Sequence, residues 1–221
     1  MKKIVAINAS PRSTRNTSEL VHAAADGAGS AGAEVKYYDL YRQGRFTGCI
    51  SCFACKLPEH KGQCVYRDGL FEVLEQIRDA DGLVIGSPNY LGDVTAGFRA
   101  LYERLIFQHT TYKMEPGSFS SSIPVLFIMT SNAAEEYYSN YGYEQMLTGY
   151  KETLSHIIGP TKVLIYGDTL QVKDYSRFDW TMFDPEAKKA RHERVLPRKK
   201  SEAFDLGAEM VKAPQNWWKL C

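Results

Sequence analysis

Apolar and polar positions along the chain follow two alternating patterns. Short apolar runs rich in β-branched residues, such as KIVAIN at 3–8 and PVLFIM at 124–129, are typical of buried strands. Between these runs, apolar residues recur at i, i+3, i+4 and i+7, which predicts amphipathic helices. The predicted strands are 3–8, 34–40, 82–86, 124–129 and 161–166, and the predicted helices are 16–28, 70–77, 95–107, 147–157 and 202–211.

This alternation predicts an α/β fold. Continuous apolar strands separated by helices form a parallel sheet covered on both faces. Five strands fit a flavodoxin-like, doubly wound sheet of order 2-1-3-4-5, whose ligands bind beyond the carboxyl ends of the strands. We therefore expect the chemistry in the loops after strands one, three and four. We predict one domain over 1–221, with a cysteine-containing insertion loop at 41–67 and a C-terminal extension at 171–221.

Composition narrows the functional class. Hydrophobic residues make up 44% of the 221 residues and charged residues 24%, which excludes a mostly disordered chain. With 27 basic and 26 acidic residues, the chain has no global charge for nucleic-acid binding. The longest purely apolar run, 125–129, is far shorter than the roughly 20 residues of a membrane span. The N-terminus reads as a strand rather than a signal peptide, so we expect a cytoplasmic protein without a membrane partner.

The loop after strand one is dense in hydroxyl and amide side chains and opens a helix. A helix start offers unpaired N–H groups and partial positive charge, which suits a phosphate. The alternative is ordinary capping by Asn16 or Thr17. The glycines and lysine of dinucleotide and Walker loops are absent, which disfavours a Rossmann NAD site and ATP chemistry. The candidate anion-binding residues are Ser10, Arg12, Asn16, Thr17 and Ser18.

Four of the five cysteines lie between 49 and 64. Cys49, Cys52 and Cys55 form C-x2-C-x2-C, and Cys64 follows after eight more residues. This is the spacing that ligates three irons of a [4Fe–4S] cluster with a remote fourth cysteine. Zinc, free buried thiols and a redox-active Cys49/Cys52 pair remain alternatives. The fifth, Cys221, is predicted to be exposed and unassigned.

The loop after strand three combines rigidity with close backbone approach. Pro88 stiffens the exit from the strand and Gly92 lets the backbone approach a ligand. Tyr90 offers a flat face for an aromatic ring, although a plain turn with a surface tyrosine has the same sequence. After strand four, the hydroxyls of Thr130 and Ser131 are expected to close the third side of the site.

Three motifs carry a family resemblance. SPR…NTS at 10–18, SPNYLGDV at 87–94 and ERL at 103–105 resemble the NADPH-dependent FMN reductase and iron–sulfur flavoprotein group of the flavodoxin-like superfamily. Together with the cysteine segment, the resemblance covers about the first half of the chain. It implies FMN, with its phosphate on the first loop and its ring held by Pro88, Asn89, Tyr90, Leu91 and Gly92.

The same resemblance implies an oxidoreductase. NAD(P)H reduces FMN, and the electrons pass to a small-molecule or protein acceptor; Tyr90 is the best candidate catalytic residue. It also implies a [4Fe–4S] cluster on Cys49, Cys52, Cys55 and Cys64, and a homodimer or homotetramer. The alternatives are an electron carrier fed by ferredoxin and a flavin-free thiol or metal redox sensor.

Three further features of the sequence do not indicate a specific function. His109 is expected to cap a helix or lie on the surface. The tyrosine-rich segment 137–143 fits a lid, a substrate wall or an oligomer contact. The basic segment 188–198 is predicted to be a solvated helical face.

Overall fold

The computed structural model describes residues 1–113 and 122–218, so Cys221 lies outside the described residues. Its centre is the predicted five-stranded sheet, all parallel, in the order β2-β1-β3-β4-β5. The flavodoxin-like topology expected from the sequence is confirmed. The strands are β1 (Lys3–Asn8), β2 (Glu34–Asp39), β3 (Gly82–Pro88), β4 (Val125–Thr130) and β5 (Thr161–Tyr166).

The burial of each strand follows its place in the sheet. β4 is buried at every residue and β3 at all but its last, because both have neighbours on either side and helices on both faces. The edge strand β2 alternates between exposed and partly buried positions over its first four residues, and only Tyr38 among its six residues is buried, which explains its more polar sequence. All carboxyl ends therefore meet at one edge, where β3 ends at Pro88 beside Thr130 of β4.

Helices cover the two faces separately. On one face the core contains apolar side chains of α2, α3 and α4, including Leu74, Phe98 and Leu154. On the other face it contains α1 and α5, with Leu20, Ala203 and Met210. Among the described residues no helix has the length and apolar character of a membrane span. The helices are α1 (Asn16–Ser30), α2 (Phe71–Arg78), α3 (Ala96–His109), α4 (Tyr143–Ile157), α5 (Pro185–Lys212) and α6 (Gln215–Trp218).

Two glycines let α1 and α5 pack at backbone distance. A Cβ at Gly27 would lie 1.9 Å from the carbonyl oxygen of Phe204, and one at Gly207 would lie 1.9 Å from that of Ala24. Only glycine, which has no Cβ, fits at these two positions where α1 crosses α5. Gly27 of α1 and Gly207 of α5 therefore let the two helices pack directly against each other.

The prediction of a terminal helix at 202–211 is wrong in length. α5 has 28 residues and begins at Pro185, with the Asp184 side chain accepting a hydrogen bond from the Ala187 amide as N-cap. Pro197 lies inside it. An interior proline costs roughly 3 kcal/mol and ordinarily predicts a break, but packing along α1 outweighs that local signal here.

Candidate functional site

The start of α1 is not capped by a side chain. Arg15 occupies the N-cap position in an extended conformation and makes no capping hydrogen bond. The side chain of Asn16 instead donates to the Leu170 carbonyl at 3.1 Å, and the hydroxyls of Thr17 and Thr130 are 2.7 Å apart. The alternative of ordinary capping by Asn16 or Thr17 is thus wrong, and among residues 1–113 and 122–218 no capping side chain accepts a hydrogen bond from the first amides of α1.

A cavity of about 260 Å³ lies at this helix start, beyond the carboxyl ends of the strands. We call it the strand-end cavity. It brings together the loops after β1, β3, β4 and β5, in agreement with the expectation that ligands of such sheets bind at this edge. The cavity is lined by Ser10, Arg12, Arg15, Asn16, Thr17, Pro88, Asn89, Tyr90, Leu91, Thr130, Ser131, Asn132, Thr169 and Gln171.

Two of the predicted binding residues do not line this cavity. Ser18 is 1% exposed; its hydroxyl donates to the Ser13 carbonyl at 2.6 Å and lies 3.2 Å from the Tyr37 hydroxyl. Ser18 therefore shapes the loop. Gly92 does not line the cavity either; it forms the turn that presents Tyr90 and Leu91.

That turn is tight and left-handed. The backbones of Tyr90 and Asp93 bond to each other in both directions, at 2.7 and 3.2 Å. Between them Leu91 has φ 56° and Gly92 φ 91°, so both central residues occupy the left-handed region of a type I′ turn. Leu91 is strained there, and its side chain is fully exposed beside the cavity. Strain of this kind collects at binding sites.

One polar atom on the cavity wall has no partner. The Asn89 side chain accepts a hydrogen bond from the Gly92 amide at 3.0 Å through Oδ1. Its Nδ2 is buried, and within the described residues it makes no hydrogen bond. A buried amide N–H without an acceptor is costly, so a ligand that supplies an acceptor at this point is favoured.

The loop after β5 also reaches the cavity, which the sequence analysis did not foresee. Arg12 donates from Nη1 to the Gln171 carbonyl at 2.6 Å, and the Gln171 side chain donates to the hydroxyl of Thr169 at 2.8 Å. The sequence pattern predicted chemistry only in the loops after strands one, three and four. The available signal was the parallel topology itself, since β5 ends at the same edge as its neighbour β4.

A larger cleft of about 570 Å³ continues from the strand-end cavity and shares Asn89, Leu91, Ser131 and Asn132 with it. Tyr137, Tyr141 and Tyr143 line this cleft, so the tyrosine-rich segment forms a wall beside the first cavity. We call it the tyrosine cleft. Its remaining lining residues are Ala133, Ala134, Glu136, Asp168, Met182 and Phe183.

Tyr138 of the same segment faces inward. It is 2% exposed, and its hydroxyl lies 2.7 Å from that of Ser131. Burial raises the pKa of Tyr138 to about 12, so it stays protonated and can act as a hydrogen-bond donor. This contact ties the tyrosine segment to the end of β4.

The four clustered cysteines line one small pocket of about 20 Å³. All four are free thiols; Cys55 is buried and Cys52 is exposed. Burial raises the pKa of the Cys55 thiol. Ser51 and Phe53 adopt left-handed conformations, with φ of 56° and 59°, as the loop curls around the pocket.

Helix α3 fixes this loop from beneath. The Glu103 carboxylate accepts a hydrogen bond from the Cys49 amide at 3.3 Å, and the Gln108 side chain accepts one from the Cys64 amide at 3.1 Å. Arg104, 1% exposed, donates to the Asp68 carboxylate at 2.6 Å and to the Tyr66 carbonyl at 2.7 Å. The ERL motif therefore positions the cysteine loop.

His109 and the basic segment agree with expectation only in part. His109 is 2% exposed rather than on the surface, and burial lowers its pKa, but its Nδ1 lies 2.9 Å from the Leu105 carbonyl oxygen, which is a capping contact at the end of α3. In the basic segment Lys189, Arg194 and Arg198 are exposed as predicted, whereas Lys188 is 9% exposed and contacts Asn132. His109 and Lys188 lie on faces of helices that the rest of the protein covers, which residue type alone does not reveal.

The sequence matches the NADPH-dependent FMN reductase family over residues 2–136. It is 34% identical over 102 residues to an iron–sulfur flavoprotein of Methanocaldococcus jannaschii, covering 46% of this chain and 51% of that protein. An iron–sulfur flavoprotein of Archaeoglobus fulgidus is 36% identical over 102 residues, covering 46% and 48%. The chain spans about half the length of the curated relatives it matches.

Solved structures share the fold over nearly the whole chain. An NAD(P)H:quinone oxidoreductase from Methanothermobacter marburgensis has a TM-score of 0.70 at 15% identity, covering 95% of this chain and 96% of that one. An FMN-dependent NADH-azoreductase from Bacillus anthracis, in complex with FMN, has a TM-score of 0.66 at 14% identity, covering 96% and 100%. At such identity these likenesses show the fold alone. Since the family match spans more than half of the residues and includes the loops after β1 and β3, the chain belongs to the NADPH-dependent FMN reductase family.

Proposed function

We propose that this protein is an FMN-dependent oxidoreductase that holds FMN in the strand-end cavity. The observation that carries the proposal is the pairing, in one cavity, of an uncapped helix start with an unpartnered buried amide on Asn89. The helix start offers N–H groups and partial positive charge for a phosphate. Asn89 offers a buried donor, without a partner among the described residues, to a ligand that carries an acceptor atom.

Different residues of the strand-end cavity suit different parts of FMN. Ser10, Thr17 and the amides of α1 suit the phosphate, and Arg12 and Arg15 add positive charge to the same wall. Tyr90 and Asn89 suit the flavin ring, with Thr130 and Ser131 on the third side. Bound FMN supplies the redox chemistry, namely acceptance of a hydride from a reduced nicotinamide and transfer of two electrons to a second substrate.

The tyrosine cleft gives the second substrate a place beside the ring. It opens from the strand-end cavity and has aromatic walls at Tyr137, Tyr141 and Phe183. Flat aromatic or quinone-like acceptors suit such walls, because stacked and edge-to-face contacts stabilise them. The quinone oxidoreductase and azoreductase named above have the same fold, which supports this reading.

Titration of the flavin-free protein with FMN and with riboflavin tests the proposal. If the phosphate lies at the start of α1, FMN binds at least about tenfold more tightly than riboflavin, because riboflavin lacks the charged group that this helix start favours. Equal affinities would contradict the assignment of the helix. Protein that stays colourless with FMN would contradict flavin binding and favour a thiol-based sensor.

Anaerobic mixing with NADPH or NADH, without ferredoxin, distinguishes a reductase from an electron carrier. We expect the flavin absorption near ~450 nm to bleach within the turnover time. Flavin that bleaches only with reduced ferredoxin would favour the carrier. The cytoplasmic location and the homodimer or homotetramer remain predictions from the sequence.

A second candidate function concerns the cysteine pocket. Four thiols on one pocket match the donor set of a [4Fe–4S] cluster, which two curated relatives carry in their names. Within the described residues no three His, Cys, Asp or Glu side chains are placed to share one metal ion, as zinc requires with sulfurs about 3.8 Å apart. The pocket volume, about 20 Å³, holds roughly one water, so a cluster requires the loop to spread.

Iron and sulfide analysis of anaerobically purified protein tests the cluster. We expect about four irons per chain, loss of iron in Cys52→Ala, and unchanged FMN binding in that variant. Cys221→Ala, outside the motif, is the matched control and keeps its iron. Full iron in Cys52→Ala would contradict the ligand set; absence of iron from wild type would favour free thiols.

A further inference from the structure

The buried lysine of α5 contacts the wall shared by the two cavities. Lys188 donates from Nζ to Oδ1 of Asn132 at 2.9 Å and to its backbone oxygen at 3.3 Å. The same ammonium contacts the Asp168 carboxylate. Asn132 lines both the strand-end cavity and the tyrosine cleft.

This contact decides how the Asn132 amide is oriented. An ammonium group only donates hydrogen bonds, so the atom facing Lys188 is the carboxamide oxygen. The opposite arrangement would place N–H groups against an ammonium, which repels them. The Nδ2 donor is therefore left for a partner other than Lys188.

The negative charge of Asp168 does not by itself explain why Lys188 is buried at this position. Arg191 already binds that carboxylate, with Nε 2.9 Å from Oδ2, and also donates to the Gly167 carbonyl at 3.0 Å. Burying a second cation at 9% exposure costs desolvation energy. Lys188 makes two contacts that Arg191 does not, hydrogen bonds to Asn132 and a position 5.5 Å from the centre of the Phe183 ring, and only the first orients a polar side chain of the cavity wall.

We propose that Lys188 is a positioning residue, which holds the Asn132 amide so that Nδ2 donates a hydrogen bond to a carbonyl-type oxygen of the ligand at the junction of the strand-end cavity and the tyrosine cleft. The inference rests on the proposed function. The oxygen belongs either to the flavin ring or to the acceptor in the cleft. The family match ends at residue 136, so Lys188 comes from the part of the chain beyond it.

Four variants separate this role from a structural one. Lys188→Met removes the donor to Asn132, and Lys188→Arg keeps one. Asn132→Asp keeps an acceptor for Lys188 but removes the Nδ2 donor. Arg191→Met is the matched control, because it removes a cation from Asp168 without touching Asn132.

Two measurements assign the ligand oxygen. FMN affinity of the flavin-free protein reports a bond to the flavin, and the KM for 1,4-benzoquinone at saturating FMN reports a bond to the acceptor. We expect Lys188→Met and Asn132→Asp to weaken one of these about three- to tenfold, the size of one hydrogen bond. Lys188→Arg restores most of the loss, and kcat at saturation changes less than KM.

The double variant completes the test. Lys188→Met combined with Asn132→Asp is expected to lose no more than either change alone, since both remove the same hydrogen bond. The proposal is overturned if Lys188→Met matches Arg191→Met in FMN affinity and in KM, or if the two losses add. Wild-type protein that binds no FMN would instead reject the proposed function.

Discussion

The hydroxyl oxygens of Thr17 and Thr130 lie 2.7 Å apart, although 113 positions separate them in the sequence. Thr17 is in the first turn of α1, and Thr130 ends β4. The two meet because α1 packs directly onto β3, where a Cβ at Gly86 would lie 2.5 Å from Cγ2 of Val21 and 3.0 Å from Cγ2 of Thr17. This contact joins the proposed phosphate end of the cavity to the loop after β4.

Replacing Thr17 by Val removes the hydroxyl pair while keeping the shape of the side chain. We expect FMN to bind about three- to tenfold more weakly and the free energy of unfolding to fall by about 1 kcal/mol. Fluorescence titration and urea denaturation measure the two effects. Thr153→Val is the control, because its hydroxyl donates to the Gly149 carbonyl one turn earlier in α4, away from the cavity; equal affinities in both variants would contradict a role for Thr17.

Replacing Leu91 by Asn should stabilise the flavin-free protein. Leu91 has φ 56° and a fully exposed side chain, so it pays the cost of the left-handed conformation without burying apolar surface in this chain. Asn tolerates that conformation better, and a gain of about 1 kcal/mol is expected. Gly92→Ala, at φ 91°, should destabilise instead. Thermal unfolding checks the opposite signs, and a loss in Leu91→Asn would mean that another surface covers Leu91.

Gly27 and Gly149 should respond oppositely to alanine. A Cβ at Gly27 would overlap the Phe204 carbonyl at 1.9 Å, so Gly27→Ala must separate α1 from α5 and is expected to cost about 3 kcal/mol or more. Gly149 lies on the exposed face of α4 with open space around it, and Gly149→Ala should gain roughly 0.5–1 kcal/mol. Chemical denaturation of both variants tests whether the helix crossing is as close as described.

Removing the charge of Asp68 should destabilise the protein at the Arg104–Asp68 ion pair that supports the cysteine loop. Asp68→Asn leaves the guanidinium of Arg104, 1% exposed, without its counter-charge, and about 3–5 kcal/mol of stability is expected to be lost. Asp79→Asn, which breaks only a surface pair with Arg78 at 3.5 Å, should change stability by less than about 1 kcal/mol. Urea denaturation gives both values, and similar losses would show that the Arg104 pair is not a structural centre.

Alkaline pH should destabilise the fold through buried tyrosines. Burial raises the pKa of Tyr37, Tyr38, Tyr138, Tyr150 and Tyr166 from 10.0 to about 12. In the unfolded chain these phenols ionise near pH 10, whereas in the folded chain they stay protonated. The stability they provide is therefore complete below pH 10 and is lost as pH rises from 10 to 12. Denaturation midpoints between pH 9 and 11.5 measure this loss, which Tyr138→Phe should reduce.

Local sequence patterns predicted the sheet well, because a strand that is covered on both faces has a short continuous run of apolar residues. KIVAIN and PVLFIM are apolar where both faces of a central strand are covered, and the parallel order followed from the helices between them. The loops around Ser10 and Tyr90 were predicted for the same reason, since the carboxyl ends of parallel strands meet at one edge. The FMN assignment itself came from the resemblance of these loops.

Contacts between distant parts of the chain were not predicted from the sequence. An interior proline such as Pro197 ordinarily predicts a break in a helix. α5 nevertheless continues through it, packed directly on α1 where Gly27 and Gly207 allow the close approach. Ser18 had the residue type of a ligand but points to Ser13, and Lys188 had that of a solvated charge but lies buried on Asn132. Residue type gives the chemistry a side chain is capable of, and not its direction.

The amino-acid sequence by itself determined the strands, their parallel arrangement and the loops that carry the candidate chemistry, because these depend on periodicity and on chain connectivity. The tertiary structure alone decided that Ser18 and Gly92 do not line the cavity, that α1 begins without a side-chain cap, and that the loop after β5 reaches the same cavity. The last of these depends on contacts between residues more than a hundred positions apart, such as Arg12 with Gln171, and local patterns carry no signal for such contacts.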